Sequence, residues 1–344
     1  MGNKTIKFIG YNLLVVLILF SILEGIFSWY LHHPERIPER HVKVFRLYYL
    51  QYLRDIIQFN PDFARFDSTY FYRWEPGTAK QHEVEFKVTH QFNSAGFRDE
   101  EAALQRPEIL FLGDSYTMGW GVEQAESFPA LVEQQTGWTT LNMGVSSYGT
   151  VRELSRIPEI DTSALRCIVL QYCSNDLKEN TNYKINQGVL KVSDAAFYRE
   201  KVCQNKAERG YSLFQHTIKL LPVFLKGKFG QTTAVTFTKE TPETPPLLAL
   251  LYVLQQFKDQ LPDVPILIFE LSEPGWEDGA IQELDQVLQD GGLRNQLPDL
   301  RVVYPEKSLT ADDRYLLDLH LKPSGHQKIA EGLIPVLTAT LSSQ

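Results

Sequence analysis

From Pro107 onward, short apolar runs with the composition of strands alternate with stretches of helical pattern. Parallel strands need a crossover connection, usually a helix, so this alternation indicates a parallel sheet and constrains the fold more than any other feature. The predicted strands are Ile109–Leu112, Thr140–Met143, Cys167–Tyr172, Ile266–Leu271 and Arg301–Tyr304. The predicted helices are Phe128–Gln135, Val151–Ile157, Leu247–Gln260, Ala280–Gln289 and Ser324–Leu341. The order predicts an α/β fold: a parallel, five-stranded, doubly wound sheet between two layers of helices.

The N-terminal segment from Phe8 to Leu31 is almost wholly apolar. A helix needs roughly 20 such residues to cross a bilayer. The run is longer than a typical signal-peptide core and no A-x-A-like cleavage site follows it, which favours an uncleaved anchor over a signal peptide. Trp29 and Tyr30 would lie at the far interface. Glu24 is anomalous, because a carboxylate inside a membrane usually has a partner, a water-filled site or a position near the interface.

The charges beside this segment bear on its orientation. Lys4 and Lys7 favour a cytoplasmic N-terminus, which places the rest of the chain on the periplasmic or outer face. Four basic residues on the other flank weaken that assignment: Arg36, Arg40, Lys43 and Arg46.

The chain is predicted to have three parts. Residues 1–33 are the transmembrane anchor, residues 34–106 a stalk with a small β appendage, and residues 107–344 the main domain. In the stalk we expect a helix from about His41 to Ile57, and the strand-like alternation from Tyr70 to His90, as at His82–Val88, predicts the small β appendage. The turn at 93–98 presents Arg98, which we expect to be exposed and to dock the appendage on the main domain.

The main domain carries an insertion at about 177–245, longer than an ordinary strand–helix connection. Within it, Phe214 to Phe229 is an amphipathic stretch with Lys219, Lys226 and Lys228. A solvated helix is the default interpretation. A lid, a partner surface and a membrane contact remain open.

Composition excludes several classes of function. The hydrophobic content of 43% is that of a globular protein with a real core, and the net charge of −8 argues against nucleic-acid binding. The three cysteines, Cys167, Cys173 and Cys203, show neither metal-ligand spacing nor a disulfide framework.

Polar groups follow successive predicted strands at the point where each strand ends. Ser115 follows the first strand in Gly-Asp-Ser, Gly144 ends the second, and Asn175 follows the third. Asp318 and His320 precede the last helix. Parallel strands share one carboxyl edge, where open α/β sheets bind their ligands. The chain therefore delivers a hydroxyl, a backbone amide, a carboxamide, an imidazole and a carboxylate to one edge.

This set is what acyl transfer requires: a nucleophile, a base oriented by an acid, and donors for the oxyanion. Each residue also has an ordinary structural interpretation, as a turn, a strand stop, a surface histidine or an acid approaching a helix. His326 is a competing imidazole, although it falls in the last helix and is expected to cap or pack. Cys173 is a weaker alternative nucleophile, because no base stands beside it in the sequence.

These ordered blocks resemble the SGNH/GDSL hydrolase superfamily, and most of all its bacterial members with one N-terminal transmembrane helix. Three stretches show the resemblance: Gly113–Val122, Asn93–Arg98, and the apolar N-terminal helix with Glu24 near its end. The first of them reads Gly-Asp-Ser-Tyr-Thr-Met-Gly-Trp-Gly-Val. The resemblance covers the anchor, 93–176 and 266–341, but not the insertion. It implies a three-layer α/β/α, flavodoxin-like SGNH domain and no metal or organic cofactor.

The resemblance also implies roles for individual residues. Ser115 would be the nucleophile, His320 the base and Asp318 the acid, with Ser115, Gly144 and Asn175 as oxyanion donors. The chain departs from the family pattern at two positions. Cys173 stands where a glycine is usual, and Leu317 stands where the acid is usual, three residues before the histidine. Asp318 is retained because related anchored members share the two-residue spacing, and Asp313 is the fallback.

The resulting prediction is a membrane-anchored serine esterase with an extracytoplasmic domain. By the resemblance, it would remove O-acetyl or other O-acyl groups from carbohydrate. Two alternatives remain open. One is an O-acyltransferase that modifies a cell-surface glycan with an integral-membrane acyl donor partner, which Glu24 and the insertion would contact. The other is a non-catalytic scaffold or binding module.

Overall fold

The computed structural model describes residues 2–229 and 244–342, with the side chains of residues 2–3, 226–229 and 294 left out. Residues 230–243 of the predicted insertion, and the Lys226 and Lys228 side chains, therefore lie outside the described residues.

A parallel sheet forms the centre of the described chain. Its strands are β5 (Ile109–Leu112), β6 (Thr140–Asn142), β7 (Cys167–Tyr172), β8 (Ile266–Glu270) and β9 (Leu300–Val302). They pair in the order β6-β5-β7-β8-β9, and every pair is parallel. This is the flavodoxin-like order, so the predicted fold class is confirmed. The order reverses direction between β5 and its neighbours, which opens a crevice at the carboxyl edge.

The strands alternate their side chains between two apolar layers. Ile109 and Phe111 join one buried cluster, whereas Leu110 and Leu112 join the other. Because both faces are buried, the strands read as continuous apolar runs.

Helices cover both faces of the sheet. One face carries α4 (Phe128–Thr136) and α11 (Pro323–Ser342). The opposite layer contains α5 (Thr150–Ser155), α6 (Asp176–Ile185), α9 (Pro246–Phe257) and α10 (Ala280–Asp290). A single turn of helix, α3 (Ser115–Met118), follows β5 directly.

The first helix, α1 (Gly2–His32), is long and apolar enough from Lys4 to His32 to cross a membrane. A signal sequence near the N-terminus passes the same test of length and composition. Helix α1 therefore meets the requirement of either a membrane anchor or a signal sequence.

Glu24 of α1 binds the start of a helix in the insertion, α8 (Gln215–Phe229). Its carboxylate accepts the backbone N–H groups of His216 (3.2 Å) and Thr217 (2.8 Å) and the Thr217 hydroxyl (2.8 Å). A carboxylate satisfies the free N–H groups at a helix N-terminus and is attracted by the helix dipole. The anomalous acid of the apolar segment thus holds the insertion against α1. Another helix of the insertion, α7 (Ala195–Glu208), contacts the stalk through Tyr198 and Asn205.

The stalk contains α2 (Glu39–Tyr52), which ends five residues before the predicted Ile57. It packs with α1, α8 and Leu317 in one apolar cluster. Two antiparallel hairpins follow, β1 (Ala64–Asp67) with β2 (Phe71–Trp74) and β3 (Gly77–His82) with β4 (Lys87–Phe92).

The alternating stretch Tyr70–His90 covers parts of these hairpins, but residues 83–86 within it form the turn between β3 and β4. One expectation for this region is wrong, because Arg98 is fully buried rather than exposed. Its guanidinium donates to the carbonyl oxygens of Gly119 (2.5 Å) and Val122 (2.7 Å), so it still ties the appendage to the main domain.

Candidate active site

The turn after β5 places Ser115 at the crevice in the sheet. Gly113 is required there, since a Cβ atom would lie 2.2 Å from Thr117 Oγ1 and 2.5 Å from Gln171 Oε1. Asp114 then caps α3 by accepting the Tyr116 N–H at 3.0 Å. Ser115 is consequently the first residue of a helical turn whose start is fixed by the close packing at Gly113 and by the Asp114 cap.

Ser115, His320 and Asp318 form a continuous hydrogen-bonded chain. His320 Nε2 lies 2.8 Å from Ser115 Oγ, and His320 Nδ1 hydrogen-bonds Asp318 Oδ1. Asp318 is fully buried. Burial raises the pKa of Asp318, but the charge and hydrogen bond of His320 outweigh it and lower that pKa to about 2. The carboxylate is therefore ionised near neutral pH and orients the imidazole with its Nε2 lone pair toward the serine.

The backbone between the acid and the imidazole explains the two-residue spacing. Leu319 has a φ of 70°, a left-handed conformation that is unusual for a residue other than glycine. This turn allows Asp318 and His320 to bond each other across a single residue, and the structure brings all three predicted catalytic side chains together.

Three residues that the sequence did not single out hold Asp318 from the N-terminal region. The Tyr49 hydroxyl of α2 donates to Asp318 Oδ2 at 2.7 Å and lies 3.1 Å from Glu83 Oε2. Burial raises the pKa of Glu83 to about 8, so this carboxyl is protonated at neutral pH. Glu85 accepts the backbone N–H groups of residues 316–318 at 2.7–2.8 Å. Glu83 and Glu85, both in the turn between β3 and β4, therefore support the loop that carries Asp318.

With Asp318 as the predicted acid of a serine esterase, replacing Tyr49 with phenylalanine is expected to lower kcat for ester hydrolysis about tenfold with little change in KM, because Asp318 loses a charge-assisted hydrogen bond. Steady-state kinetics on a soluble acetate ester would measure both constants. The matched control is Tyr48→Phe on the same helix, which removes a hydroxyl bonded to His216 and not to Asp318. A change confined to KM, or an equal loss in both variants, would show that Tyr49 does not position the acid.

The predicted oxyanion donors differ in their placement. Asn175 lines the same cavity as Ser115, and its Nδ2 donates to Asp114 Oδ2 at 3.0 Å, which leaves its second N–H for another acceptor. Gly144 does not line that cavity. Its N–H donates to Asn142 Oδ1 at 3.0 Å, and a Cβ there would lie 2.3 Å from the Met118 nitrogen. Gly144 is thus required for close packing of its loop on α3.

Ser147, three residues after Gly144, lies on the cavity wall instead. It has a φ of 60°, and its N–H has no acceptor within 2–229 and 244–342. The Ser115 N–H is likewise without an acceptor in those ranges. A non-glycine residue in a left-handed conformation on the wall of this cavity was not readable from the sequence.

The alternative residues have other partners. Asp313, the fallback acid, accepts from Thr310, Ser324 and Lys328, and its bonds in the described chain do not include His320. His326 accepts the Phe128 N–H at 3.2 Å, and burial lowers its pKa to about 3. Cys173 lines the cavity, but burial raises the pKa of its thiol well above the usual range, which disfavours the reactive thiolate.

The cavity over Ser115 has a volume of about 710 Å³. Apolar and aromatic side chains line part of it, including Leu47, Leu50, Trp120 and Trp276. Neutral polar groups complete the wall, among them Gln51, Gln58, Ser146 and Ser174. Trp120 also stacks on the His320 ring at 5.2 Å. Helix α2 and the residues after it form one wall, so the stalk is part of the site.

A model of the GDSL-like lipase/acylhydrolase family matches residues 111–328, which is more than half of the chain and includes Ser115 and His320. No curated protein matches the sequence.

Solved structures with a similar fold include a family 3 carbohydrate esterase from Clostridium thermocellum. Its sequence identity is 15%, the match covers 68% of this chain and 98% of that chain, and the TM-score is 0.38. A family two carbohydrate esterase from the same organism, in complex with cellohexaose, has 13% identity over 68% of this chain and 64% of that chain, with a TM-score of 0.39. A family two carbohydrate esterase from Cellvibrio japonicus has 13% identity over 69% and 62%, with a TM-score of 0.35.

Proposed function

The chain belongs to the GDSL-like lipase/acylhydrolase family and is a hydrolase, and from this premise we propose that it is a serine esterase using Ser115, His320 and Asp318. The observation that carries the proposal is the chain of contacts from the serine hydroxyl through the imidazole to a buried, ionised carboxylate. A serine hydroxyl is a poor nucleophile unless such a base takes its proton.

In the acylation step, His320 Nε2 takes the proton of Ser115 Oγ while the oxygen attacks the ester carbonyl carbon. Asp318 stabilises the imidazolium that forms and keeps Nδ1 protonated. The imidazolium then gives its proton to the departing alcohol oxygen, and an acyl-serine remains. Water, deprotonated by the same imidazole, attacks the acyl-serine and releases the carboxylic acid and free Ser115.

The negative oxygen of each tetrahedral intermediate needs donors that are already in place, each worth on the order of 3 kcal/mol. We assign this role to the Ser115 N–H and the free N–H of Asn175 Nδ2. For the third donor, the Ser147 N–H fits better than the predicted Gly144 N–H, which is already used by Asn142.

The substrate that fits this cavity is an acylated carbohydrate. Tryptophan faces pack against the apolar faces of sugar rings, and amide and hydroxyl side chains bond their hydroxyl groups. Trp120 and Trp276 supply the first kind of surface, and Gln51, Gln58 and Ser174 the second.

We further propose that α1 is retained as a single-pass anchor and that the hydrolase domain lies outside the cytoplasm. Support comes from the joint packing of α1, α2 and α8 with Leu317, beside Asp318. A helix removed as a signal would take that packing with it, which argues for retention.

A fluorophosphonate probe tests the proposal directly. Incubating the detergent-solubilised full chain with the probe should add one phosphonyl group, located at Ser115 by mass spectrometry, and should stop acetate release from p-nitrophenyl acetate. A folded protein that neither reacts nor releases acetate would contradict the esterase and favour a scaffold. Slow release to water, with rapid transfer to an added glycan, would instead identify an O-acyltransferase, whose membrane donor partner could then be sought by crosslinking from α1.

A further inference from the structure

Arg54 is a charged residue in the wall of the catalytic cavity that the mechanism above does not use. It follows α2, where its N–H donates to the Tyr49 carbonyl at 2.9 Å, and it lines the same cavity as Ser115 and His320. Its Cζ lies 5.9 Å from the centre of the Trp120 ring, which stacks on His320.

The Arg54 side chain has no hydrogen-bond acceptor and no ion pair in the described parts of the chain, and its Nε is buried. Other arginines with little exposed surface differ. The fully buried Arg98 donates to carbonyl oxygens and the fully buried Arg156 pairs with Glu159 at 3.1 Å, whereas the partly buried Arg152 pairs with Glu179 at 2.5 Å. Removing a cation from water without a partner is costly. A half-buried guanidinium with all of its donors unused is therefore suited to a ligand.

The acidic groups of the cavity leave Arg54 unpaired. Asp114 is engaged by Tyr116 and Asn175, and Glu273 makes no ion pair with Arg54 within the described residues. The charge of Arg54 contributes to lowering the pKa of Asp318, after the larger effect of His320. That long-range effect uses the charge but none of the five N–H donors.

We propose that Arg54 binds an anionic group of the substrate, a carboxylate carried by the same sugar as the ester. The inference rests on the proposed esterase function and narrows its substrate class to acylated acidic sugars, of which an acylated uronic acid is the simplest. A planar guanidinium can bond a carboxylate through two parallel N–H groups, which a lysine cannot reproduce. Trp120, whose ring centre lies 5.9 Å from the Arg54 Cζ, helps to hold the guanidinium in place.

The test compares two isosteric substrates: the fully acetylated methyl glycoside of glucuronic acid and its uncharged carboxamide. Acetate release by the full chain in detergent gives kcat/KM for each. Wild-type protein should prefer the carboxylate, and Arg54→Gln should reduce the preference by roughly 10- to 100-fold, the equivalent of one lost charged hydrogen-bond pair. Arg54→Lys should recover part of it. Arg65→Gln, which removes an exposed charge elsewhere, should leave the ratio unchanged.

The ratio of the two substrates separates recognition from general support of catalysis. If Arg54→Gln slows both substrates equally, Arg54 acts through Asp318 and the proposal is overturned. Calorimetric titration of a Ser115→Ala protein with the two sugars does not require turnover. Preferential binding of the carboxylate without hydrolysis by the wild type would count against the esterase alone, and equal binding of both sugars would overturn the anion site.

Discussion

Replacing Ser115 with alanine is expected to reduce ester hydrolysis by a factor on the order of 10⁴ to 10⁶ while the protein remains folded. The hydroxyl that His320 would deprotonate is absent from this variant. Neither His320 nor a loosely held water molecule can replace Ser115 Oγ as the nucleophile positioned at the ester carbonyl. The measurement is kcat/KM for p-nitrophenyl acetate, with thermal unfolding of both proteins as the check of folding. The Ser115 side chain is small and its backbone is held by the Asp114 cap, so the unfolding temperature should change little.

The matched control is Cys173→Ala, which removes the other nucleophilic side chain on the cavity wall. This variant should keep its esterase activity, because the thiol is protonated and makes no bond to His320 in the described structure. Activity that survives in Ser115→Ala and disappears in Cys173→Ala would move the nucleophile to the cysteine.

Asp318→Asn should lower kcat about 10⁴-fold with a small effect on KM, as expected when an amide replaces the acid of such a triad. An amide offers one oxygen acceptor where the carboxylate has two, and both carboxylate oxygens are bonded here, to His320 and Tyr49. The imidazole would lose the partner that orients its tautomer and stabilises its cation. Steady-state kinetics between about pH 6 and pH 9 would show the loss throughout, since the wild-type carboxylate stays ionised far below that range.

The same substitution is expected to lower the stability of the folded protein, by an amount that depends on pH. The folded-state pKa of Asp318 is about 2, below its usual 3.8, so its ionised form favours folding. That contribution is complete above about pH 4 and is lost as the pH falls through about 2. The difference in unfolding free energy between wild type and Asp318→Asn should accordingly be largest near neutral pH and shrink in acid.

Asp313→Asn is the control for the acid. Its carboxylate links Thr310, Ser324 and Lys328, so the variant should unfold more easily yet keep most of its kcat. If a folded Asp313→Asn protein instead lost as much activity as Asp318→Asn, the assignment of the acid would have to be exchanged.

Much of the fold followed from the apolar pattern. The predicted strands Ile109–Leu112 and Cys167–Tyr172 coincide with β5 and β7, because these central strands are buried on both faces and are apolar except for Gln171. The edge strand predicted as Arg301–Tyr304 is β9 at Leu300–Val302, a shift of one residue at its start. Burial on one side only, with Arg301 exposed, makes the apolar signal weaker there.

The conformations of the loops were harder to predict from the sequence. A glycine after a strand signals a tight backbone, and Gly144 has one, but the pattern could not tell that its N–H turns to Asn142 rather than to the cavity. The strand-like alternation from Tyr70 to His90 gave no sign of the turn at residues 83–86, where the carboxylates of Glu83 and Glu85 bond Tyr49 and the backbone of residues 316–318. In both places the decisive partner is a side chain whose direction no periodicity encodes.

The apolar pattern was sufficient for the order of strands and helices, and the resemblance of short motif blocks was sufficient for the hydrolase family and for choosing Ser115, His320 and Asp318 as site candidates. Both signals lie in residues close together in the chain. Long-range packing determined which other side chains reach the site. Tyr49 meets Asp318 across 269 positions, and Arg54 reaches the cavity because the stalk helix folds back onto the main domain. Such contacts are set by how whole elements dock, which depends on apolar surfaces from distant parts of the chain and leaves no periodic trace in the sequence.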